Sequence, residues 1–143
     1  MKKLPFNPTD AMADQYVWDP LRKKKVALTP EEKVRQWFIS ILLVQAHVPS
    51  QLMMSEVSMK FGRKKYRADI LVYGRDLRPV MAVECKREDV ELSQEVIDQA
   101  LRYDSVLGAR LLAITNGKCT KIYRKGESGF EEIPVLPEYK DMD

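Results

Sequence analysis

The residues best suited to chemistry in this sequence are two carboxylates and an ammonium group, Asp69, Glu84 and Lys86. Glu84 and Lys86 are two residues apart, so in a β-strand both would project to the same face, roughly 6.5–7 Å apart. Val80-Met81-Ala82-Val83 leads directly into Glu84, and charge at the end of an apolar central strand is costly without a partner. The spacing therefore indicates a site, although charges on the solvated face of a surface hairpin would give the same pattern.

These residues lie in two strand-like runs, 67–73 and 78–86, which are separated by a four-residue turn, GRDL. If the turn uses only those four residues, antiparallel pairing puts Asp69 opposite Ala82, on the face that Glu84 also occupies. A slip of one residue would move Asp69 to the opposite face. The predicted site therefore depends on the register of this hairpin.

Two carboxylates and a lysine in one place suit metal-assisted hydrolysis of a phosphodiester bond. Carboxylate oxygens are hard ligands of the kind that Mg²⁺ and Mn²⁺ prefer. The metal polarises the phosphate and lowers the pKa of a bound water. A nearby lysine orients that water or offsets the charge that develops on the phosphate. The three side chains therefore predict a hydrolase that uses Mg²⁺ or Mn²⁺.

A helix is predicted to begin at Thr29, because TPEE places a cap residue, a proline and then a glutamate at the positions typical of a helix start. Glu31 lies at the edge of the apolar stripe of this helix, whereas Glu32 points further out and has a capping role available. Glu31 is therefore the better candidate for an additional metal ligand, with Glu32 as the alternative. Either glutamate is also favourable simply as a charge near a helix N-terminus.

Two basic clusters precede the Asp69 strand. The turn Arg63-Lys64-Lys65 follows a predicted strand, 55–61, and at the lip of a carboxylate site it would guide a phosphodiester towards the metal. A charged hairpin tip that limits aggregation is the alternative. The earlier cluster, Arg22-Lys23-Lys24-Lys25, is interpreted as a solvated loop, with contact to a phosphate backbone as its alternative function.

The remaining pattern predicts an α/β fold with a mixed central sheet flanked by helices. A second helix, 92–107, is followed by strands at 109–115 and 118–125. A helical crossover between the Glu84 strand and the strand 109–115 predicts that these two run parallel, with a right-handed connection. We divide the chain into an N-terminal arm (1–28), a central domain (29–125) and a C-terminal tail (126–143). The arm has a short strand or hairpin near residues 16–18, and the tail adds at most an edge strand.

The composition fits a single soluble domain. The 143 residues, 45% of them hydrophobic and 31% charged, suffice for one core. A net charge of +3 permits a polyanion as partner without requiring one. No signal peptide is visible, and the longest apolar run, Ile41–Val44, is far too short to span a bilayer. The sequence therefore predicts a cytoplasmic protein without a membrane partner.

The chain resembles the PD-(D/E)xK nuclease superfamily and, within it, the N-terminal nuclease domain of type I restriction enzyme R subunits. The resemblance rests on five short segments in the family's order: TPEEKVRQ at 29–36, RADILVY at 67–73, VECK at 83–86, QALRY at 99–103 and ITNG at 114–117. Ala68 departs from the proline that many members have before the first aspartate. No G-x-x-x-x-G-K-[ST] loop occurs, so the ATP-driven motor of a complete R subunit is not in this sequence.

The resemblance implies a restriction-endonuclease-like fold and Mg²⁺-dependent cleavage of DNA. Asp69 and Glu84 would be metal ligands, Lys86 the catalytic lysine, and Glu31 or Glu32 the acid on the first helix. The other matching positions form a Q-x-x-x-Y element that supports the site and touches DNA, namely Gln99 and Tyr103. Other restriction-system subunits are possible partners, and so is a second copy of the chain. The alternative is a non-catalytic nucleic-acid-binding or assembly module that retains the fold.

Overall fold

The computed structural model describes residues 15–143, with the backbone alone for residues 104 and 105. The helices are α1 (Pro30–Val44) and α2 (Gln94–Asp104). The strands are β1 (Tyr16–Asp19), β2 (Lys24–Ala27), β3 (Met53–Phe61), β4 (Lys64–Tyr73), β5 (Pro79–Cys85), β6 (Leu111–Thr115), β7 (Thr120–Gly126) and β8 (Gly129–Ile133). Residues 1–14 of the predicted arm lie outside the described residues.

Six strands form one mixed sheet, in the order β3-β4-β5-β6-β7-β8. Neighbouring strands are antiparallel except β5 and β6, which are parallel and are joined through α2. This confirms the predicted parallel pair. Strands β1 and β2 form a separate antiparallel hairpin, which confirms the hairpin predicted near residues 16–18.

One helix packs on each face of the sheet, which confirms the predicted fold class. On one face, Val34 and Phe38 of α1 join a core that includes Val83 of β5. On the other face, Ile97 of α2 joins a second core that includes Leu112 of β6. Strand β6 is buried along its whole length, as expected for a central strand covered on both sides. The central strands of the sheet therefore lie between the two helices.

Helix α1 begins as the sequence predicted. The Thr29 hydroxyl accepts a hydrogen bond from the Glu32 backbone N–H at 3.1 Å, and Pro30 occupies the first helical position. The side-chain oxygen thereby satisfies one of the backbone donors left open at a helix start. This cap fixes the first turn, which carries both Glu31 and Glu32.

The C-terminal tail contributes to both the sheet and the core. Strand β8 pairs with β7 as the sixth strand, and Met142 is completely buried in the core on the α1 side. The predicted domain boundaries stay a prediction. Within residues 15–143, no helix combines the length and the apolar character needed to cross a membrane.

The predicted register of the β4–β5 hairpin is wrong by two residues. Leu71, rather than Asp69, lies opposite Ala82, and the neighbouring pair is Ile70 with Val83. Because side chains alternate with a period of two, a shift of two residues preserves the face on which each side chain lies. The error therefore leaves the predicted face of the strand unchanged.

Two separate features produce this shift. The loop holds five residues, 74–78, because Tyr73 pairs with Pro79, and it is closed by a 2.8 Å hydrogen bond from the Gly74 N–H to the Arg78 carbonyl. Leu77 adopts φ of 65°, the left-handed region that lets the chain reverse here. A β-bulge near the start of β5 supplies the second residue, because Val72 pairs with Met81 and Tyr73 with Pro79, which leaves Val80 as the extra residue.

Candidate active site

Six of the predicted site residues line one cleft of about 460 Å³ at the end of the sheet. They are Glu31, Asp69, Glu84, Lys86, Gln99 and Tyr103, joined in the wall by Arg67, Cys85, Val96 and Ala100. These residues come from α1, β4, β5, α2 and the segment after β5. The structure therefore brings together residues that are up to 72 positions apart in the sequence.

Asp69 lies at an irregularity in β4. Ala68 packs in the core on the α2 side, whereas Ile70 packs in the core on the α1 side. Residues two apart in a regular strand share a face, so this change of face marks a distortion at Asp69. On the neighbouring strand β3, the pairing skips Glu56, which has φ of 53°. The distortion frees the Asp69 side chain from the regular alternation.

The Asp69 carboxylate fills the gap that opens between β4 and β5. Backbone pairing of the two strands ends at Ile70 and Val83. Beyond that point the Cys85 backbone N–H donates to Asp69 Oδ2 at 2.7 Å, in a buried environment. The side chain thus provides the acceptor that a paired strand would have supplied. This hydrogen bond fixes Asp69 next to Cys85 and therefore close to Glu84, the residue that precedes Cys85 in β5.

Burial raises the pKa of both carboxyl groups. Desolvation is the main cause of the rise in the pKa of Glu84 to about 7; the charge of Asp69 raises it further, while Lys86 opposes the rise. Burial also raises the pKa of Asp69, and it outweighs the Cys85 N–H and the Arg35 guanidinium, which both act to lower it. The site therefore holds two acids that resist ionising together.

The two glutamates of the first helical turn have different environments. Glu31 lines the cleft and is partly exposed. Glu32 is buried away from the cleft, where Arg22 Nη2 lies 2.7 Å and Gln36 Nε2 lies 2.9 Å from its Oε2 atom. Because Glu32 already has these partners, Glu31 is the glutamate whose oxygens remain available to the cleft. The geometry thus favours the first of the two predicted alternatives.

Sequence analysis missed Arg35, which lies under the site and is only 3% exposed. Its Nη2 atom is 3.2 Å from Glu31 Oε1 and 3.7 Å from Asp69 Oδ1. Its Nε and Nη1 atoms have no hydrogen-bond partner among the residues described, although Nη1 is 3.6 Å from a carboxylate oxygen of Glu56. The sequence does contain a signal for the contact between Glu31 and Arg35, because residues four apart on a helix are neighbours on its surface.

A second arginine, Arg22, connects the β1–β2 hairpin to the same group of charges. It forms ion pairs with Asp19, Glu32 and Glu56. Glu32 and Glu56 also lie within 3.8 Å of the Arg35 guanidinium. The charges of the hairpin, α1 and β3 are thereby linked through shared carboxylates. The prediction that Arg22 belongs to a solvated loop is wrong, because its side chain is only 16% exposed and is held by these three carboxylates.

The wall on the α2 side is tied to β4 by Tyr103. The Tyr103 hydroxyl accepts a hydrogen bond from the Arg67 backbone N–H at 3.1 Å and lies 3.4 Å from the Lys65 carbonyl oxygen, to which it donates. Its ring lies 4.9 Å from that of Tyr66, centroid to centroid. The hydroxyl is therefore engaged by the backbone, while Gln99, one turn earlier, lines the cleft.

The predicted basic turn lies outside the cleft wall. Arg63, Lys64 and Lys65 are exposed at the β3–β4 turn and do not line the cleft. Arg67, which sequence analysis did not single out, does line it and acts to lower the pKa of both Asp69 and Glu84. In the part of β4 that approaches the site, Arg67 thus brings positive charge closest to the carboxylates.

The donor set fits a hard divalent cation. Asp69 offers a buried carboxylate and Glu84 a half-buried one, and a cation would relieve their mutual repulsion. Within residues 15–143, no group of three or more His, Cys, Asp and Glu side chains is arranged to hold a metal ion. Mg²⁺ commonly takes one or two carboxylates and completes its coordination with water and substrate phosphate. Two carboxylates in an open cleft are compatible with that mode of binding.

Comparison with known proteins gives one family match. Residues 30–137 match the family model described as Type I restriction enzyme R protein N terminus (HSDR_N). The match covers more than half of the chain and includes α1, both carboxylates of the cleft, Lys86 and α2. A comparison with curated proteins found no match.

Two solved structures have a similar fold. One is a fragment of an inferred HsdR subunit of a type I restriction enzyme from Vibrio vulnificus YJ016, with 20% sequence identity and a TM-score of 0.56. The alignment covers 78% of this chain but 24% of that one, so this chain spans about a quarter of its length. The other is an inferred nuclease of DUF820 from Anabaena variabilis ATCC 29413, with 14% identity, a TM-score of 0.50 and coverage of 84% and 86%. Both confirm the nuclease-like fold.

We expect Arg35→Met to lower the free energy of unfolding by about 3–5 kcal/mol, because it leaves buried carboxylates without their cation. Urea denaturation measures this change. Arg78→Met is the matched control, since the Arg78 side chain is 86% exposed and its removal should change stability by about 0.5 kcal/mol or less. Equal stability of the two variants would contradict the structural role of Arg35.

We expect the metal-free protein to lose stability as the pH rises from near 4.5 to about 7, because Glu84 ionises first in the unfolded chain. The shift corresponds to on the order of 3 kcal/mol. Glu84→Gln should reduce this loss and be more stable than wild type at pH 8. Urea denaturation in EDTA at several pH values tests this, with Glu127→Gln in the exposed β7–β8 turn as the control. Identical pH profiles for Glu84→Gln and wild type would refute the assignment.

Proposed function

The chain belongs to the family of type I restriction enzyme R protein N termini, and on that premise we propose that it is an endonuclease that hydrolyses DNA with the aid of Mg²⁺ or Mn²⁺. One observation carries the proposal: the buried carboxylate of Asp69 and the half-buried carboxylate of Glu84 line one cleft together with Lys86 and are close enough for the charge of Asp69 to raise the pKa of Glu84. Burying two acids together costs folding free energy, and a divalent cation would offset that cost.

Each residue of the cleft has a role in this mechanism. Asp69 and Glu84 would hold the metal, and Glu31 would act as a further acid at the same ion. When bound, the metal polarises the scissile phosphate and lowers the pKa of a bound water. Lys86 supplies an ammonium group that orients this water or offsets the negative charge that develops on the phosphate.

The surrounding residues support this chemistry in the proposal. Arg35 offsets the charges of Glu31 and Asp69 from beneath, at 3.2 Å and 3.7 Å, so that both carboxylates keep their positions without a metal. Arg67 attracts the DNA phosphates to the mouth of the cleft. Gln99 contacts the DNA from the α2 wall, while Tyr103 holds that wall against β4.

The basic turn and the partners belong to the same proposal. Arg63, Lys64 and Lys65 are exposed on the strand that carries Asp69, where they can contact phosphates that flank the cleft. The family takes its description from one subunit of a restriction enzyme, so the proposed partners include other subunits of such an enzyme. A second copy of the chain would supply a second site for cutting both strands. The cytoplasm, where DNA and Mg²⁺ meet, is the proposed location.

We expect Glu84→Ala and Lys86→Ala each to lower DNA cleavage by about 100-fold or more, because each removes a group that acts on the scissile phosphate. The assay uses duplex, single-stranded, branched and modified DNA with Mg²⁺, Mn²⁺ or EDTA. Lys125→Ala is the matched control, because the end of β7 lies at the opposite end of the sheet from the cleft.

Melting temperatures separate loss of catalysis from loss of folding, since Glu84→Ala should melt no lower than wild type. Full activity of Glu84→Ala would rule out the mechanism. Binding of DNA by the wild type without cleavage of any substrate would instead support the alternative, a binding or assembly module that retains the fold.

A further inference from the structure

The outer face of the β1–β2 hairpin carries two exposed aromatic side chains. The register pairs Trp18 with Lys25 and Tyr16 with Ala27. Residues directly opposite in an antiparallel pair lie on the same face, so these four share one face. Tyr16 is 61% and Trp18 is 57% exposed. We call Tyr16, Trp18, Lys25 and the adjoining turn residue Lys23 the hairpin surface.

The opposite face of the hairpin is fixed to the domain. Asp19 is completely buried and is paired with Arg22, which also contacts Glu32 of α1 and Glu56 of β3. Leu21 packs against the core on the α1 side. Because Glu32 is the immediate neighbour of Glu31, these contacts attach the hairpin beside the helical turn that lines the cleft. The hairpin is therefore fixed to the first turn of α1, the turn that also carries the cleft residue Glu31.

The charge of the hairpin surface is positive. Within residues 15–28, the only acid is Asp19, which is buried and neutralised by Arg22. The exposed charges in this range are Lys23, Lys24 and Lys25. A surface of aromatic side chains surrounded by lysines is complementary to a nucleic-acid strand, because rings stack on bases while ammonium groups contact phosphates.

We propose that the hairpin surface binds a single-stranded segment of DNA and leads it to the cleft; as a route to the cleft, this rests on the proposed function. Tyr16 and Trp18 are two residues apart on one strand, about 6.5–7 Å, so they offer two neighbouring ring faces. Duplex DNA keeps its bases stacked and exposes only phosphates to this surface, whereas an unpaired strand can stack its bases on the rings. The preference for a single strand therefore follows from the aromatic pair.

The test measures binding to oligo(dT) in EDTA, so that no cleavage is needed. In the full chain with Trp37→Phe, Trp18 is the only tryptophan, and its fluorescence should be quenched by oligo(dT). Trp18→Ala should weaken oligo(dT) binding by about tenfold or more, as expected for loss of one stacking contact, and should leave duplex binding nearly unchanged. Lys25→Ala should reduce the slope of log affinity against log salt by about 0.7.

Two control variants, Lys125→Ala and Val135→Ala, remove an exposed charge and an exposed apolar side chain outside the hairpin and should bind like wild type. The proposal is overturned if wild type does not bind oligo(dT), or if Trp18→Ala binds it as tightly as wild type. It is also overturned if the Trp18 and lysine variants lose binding only to vesicles of anionic lipid.

The cleavage assay separates this inference from the proposed function. If oligo(dT) binds through Trp18 and no substrate is hydrolysed, the hairpin surface is a binding site and the proposed nuclease function is contradicted. Cleavage of duplex DNA that is unaffected by Trp18→Ala, together with absent oligo(dT) binding, would remove the hairpin surface alone.

Discussion

The structure of the site depends on two neighbouring carboxylates, Asp69 buried and Glu84 half-buried, where β4 and β5 separate. Asp69 is held there because it accepts the hydrogen bond of a backbone N–H that has lost its strand partner. Glu84 follows from β5 at the same level, and burial together with Asp69 raises its pKa to about 7. Nearby cations only partly offset this repulsion. The arrangement is costly for folding and is best explained by a ligand that carries positive charge.

The face on which the carboxylates lie could be predicted although the predicted register of the β4–β5 hairpin was wrong, because the error was two residues and side chains alternate with a period of two. The apolar run before Glu84 indicated a central strand, and the turn sequence indicated a hairpin. Neither the apolar run nor the turn sequence showed that the loop holds five residues or that β5 contains a bulge at Val80. Both additions depend on backbone conformation, including the positive φ of Leu77, that residue type does not specify. Two additions of one residue preserve the alternation of faces from Ile70 onwards, and Asp69 still reaches the cleft that Glu84 lines.

The arginines were missed because the partners that connect them to other elements of the fold are distant in the chain. Arg35 contacts Asp69, and Arg22 contacts Glu56, across 34 positions in each case. Alone, Arg22 belongs to a basic run that is typical of a solvated loop. The same limit applied to the helix acid, since periodicity left two adjacent glutamates open and only the contact of Glu32 with Arg22 distinguished them. Long-range ion pairs, rather than local patterns, determine which charges face the cleft.

Titration of Mn²⁺ into the metal-free protein at pH 7, by calorimetry in two buffers with different ionisation enthalpies, tests the central claim most directly. If the carboxylates form a metal site, Mn²⁺ must displace the proton that Glu84 partly retains at this pH, so binding should release a fraction of one proton. Asp69→Asn should abolish both the heat and the proton release. Absence of Mn²⁺ binding at millimolar concentrations, or binding that Asp69→Asn leaves unchanged, would contradict the account.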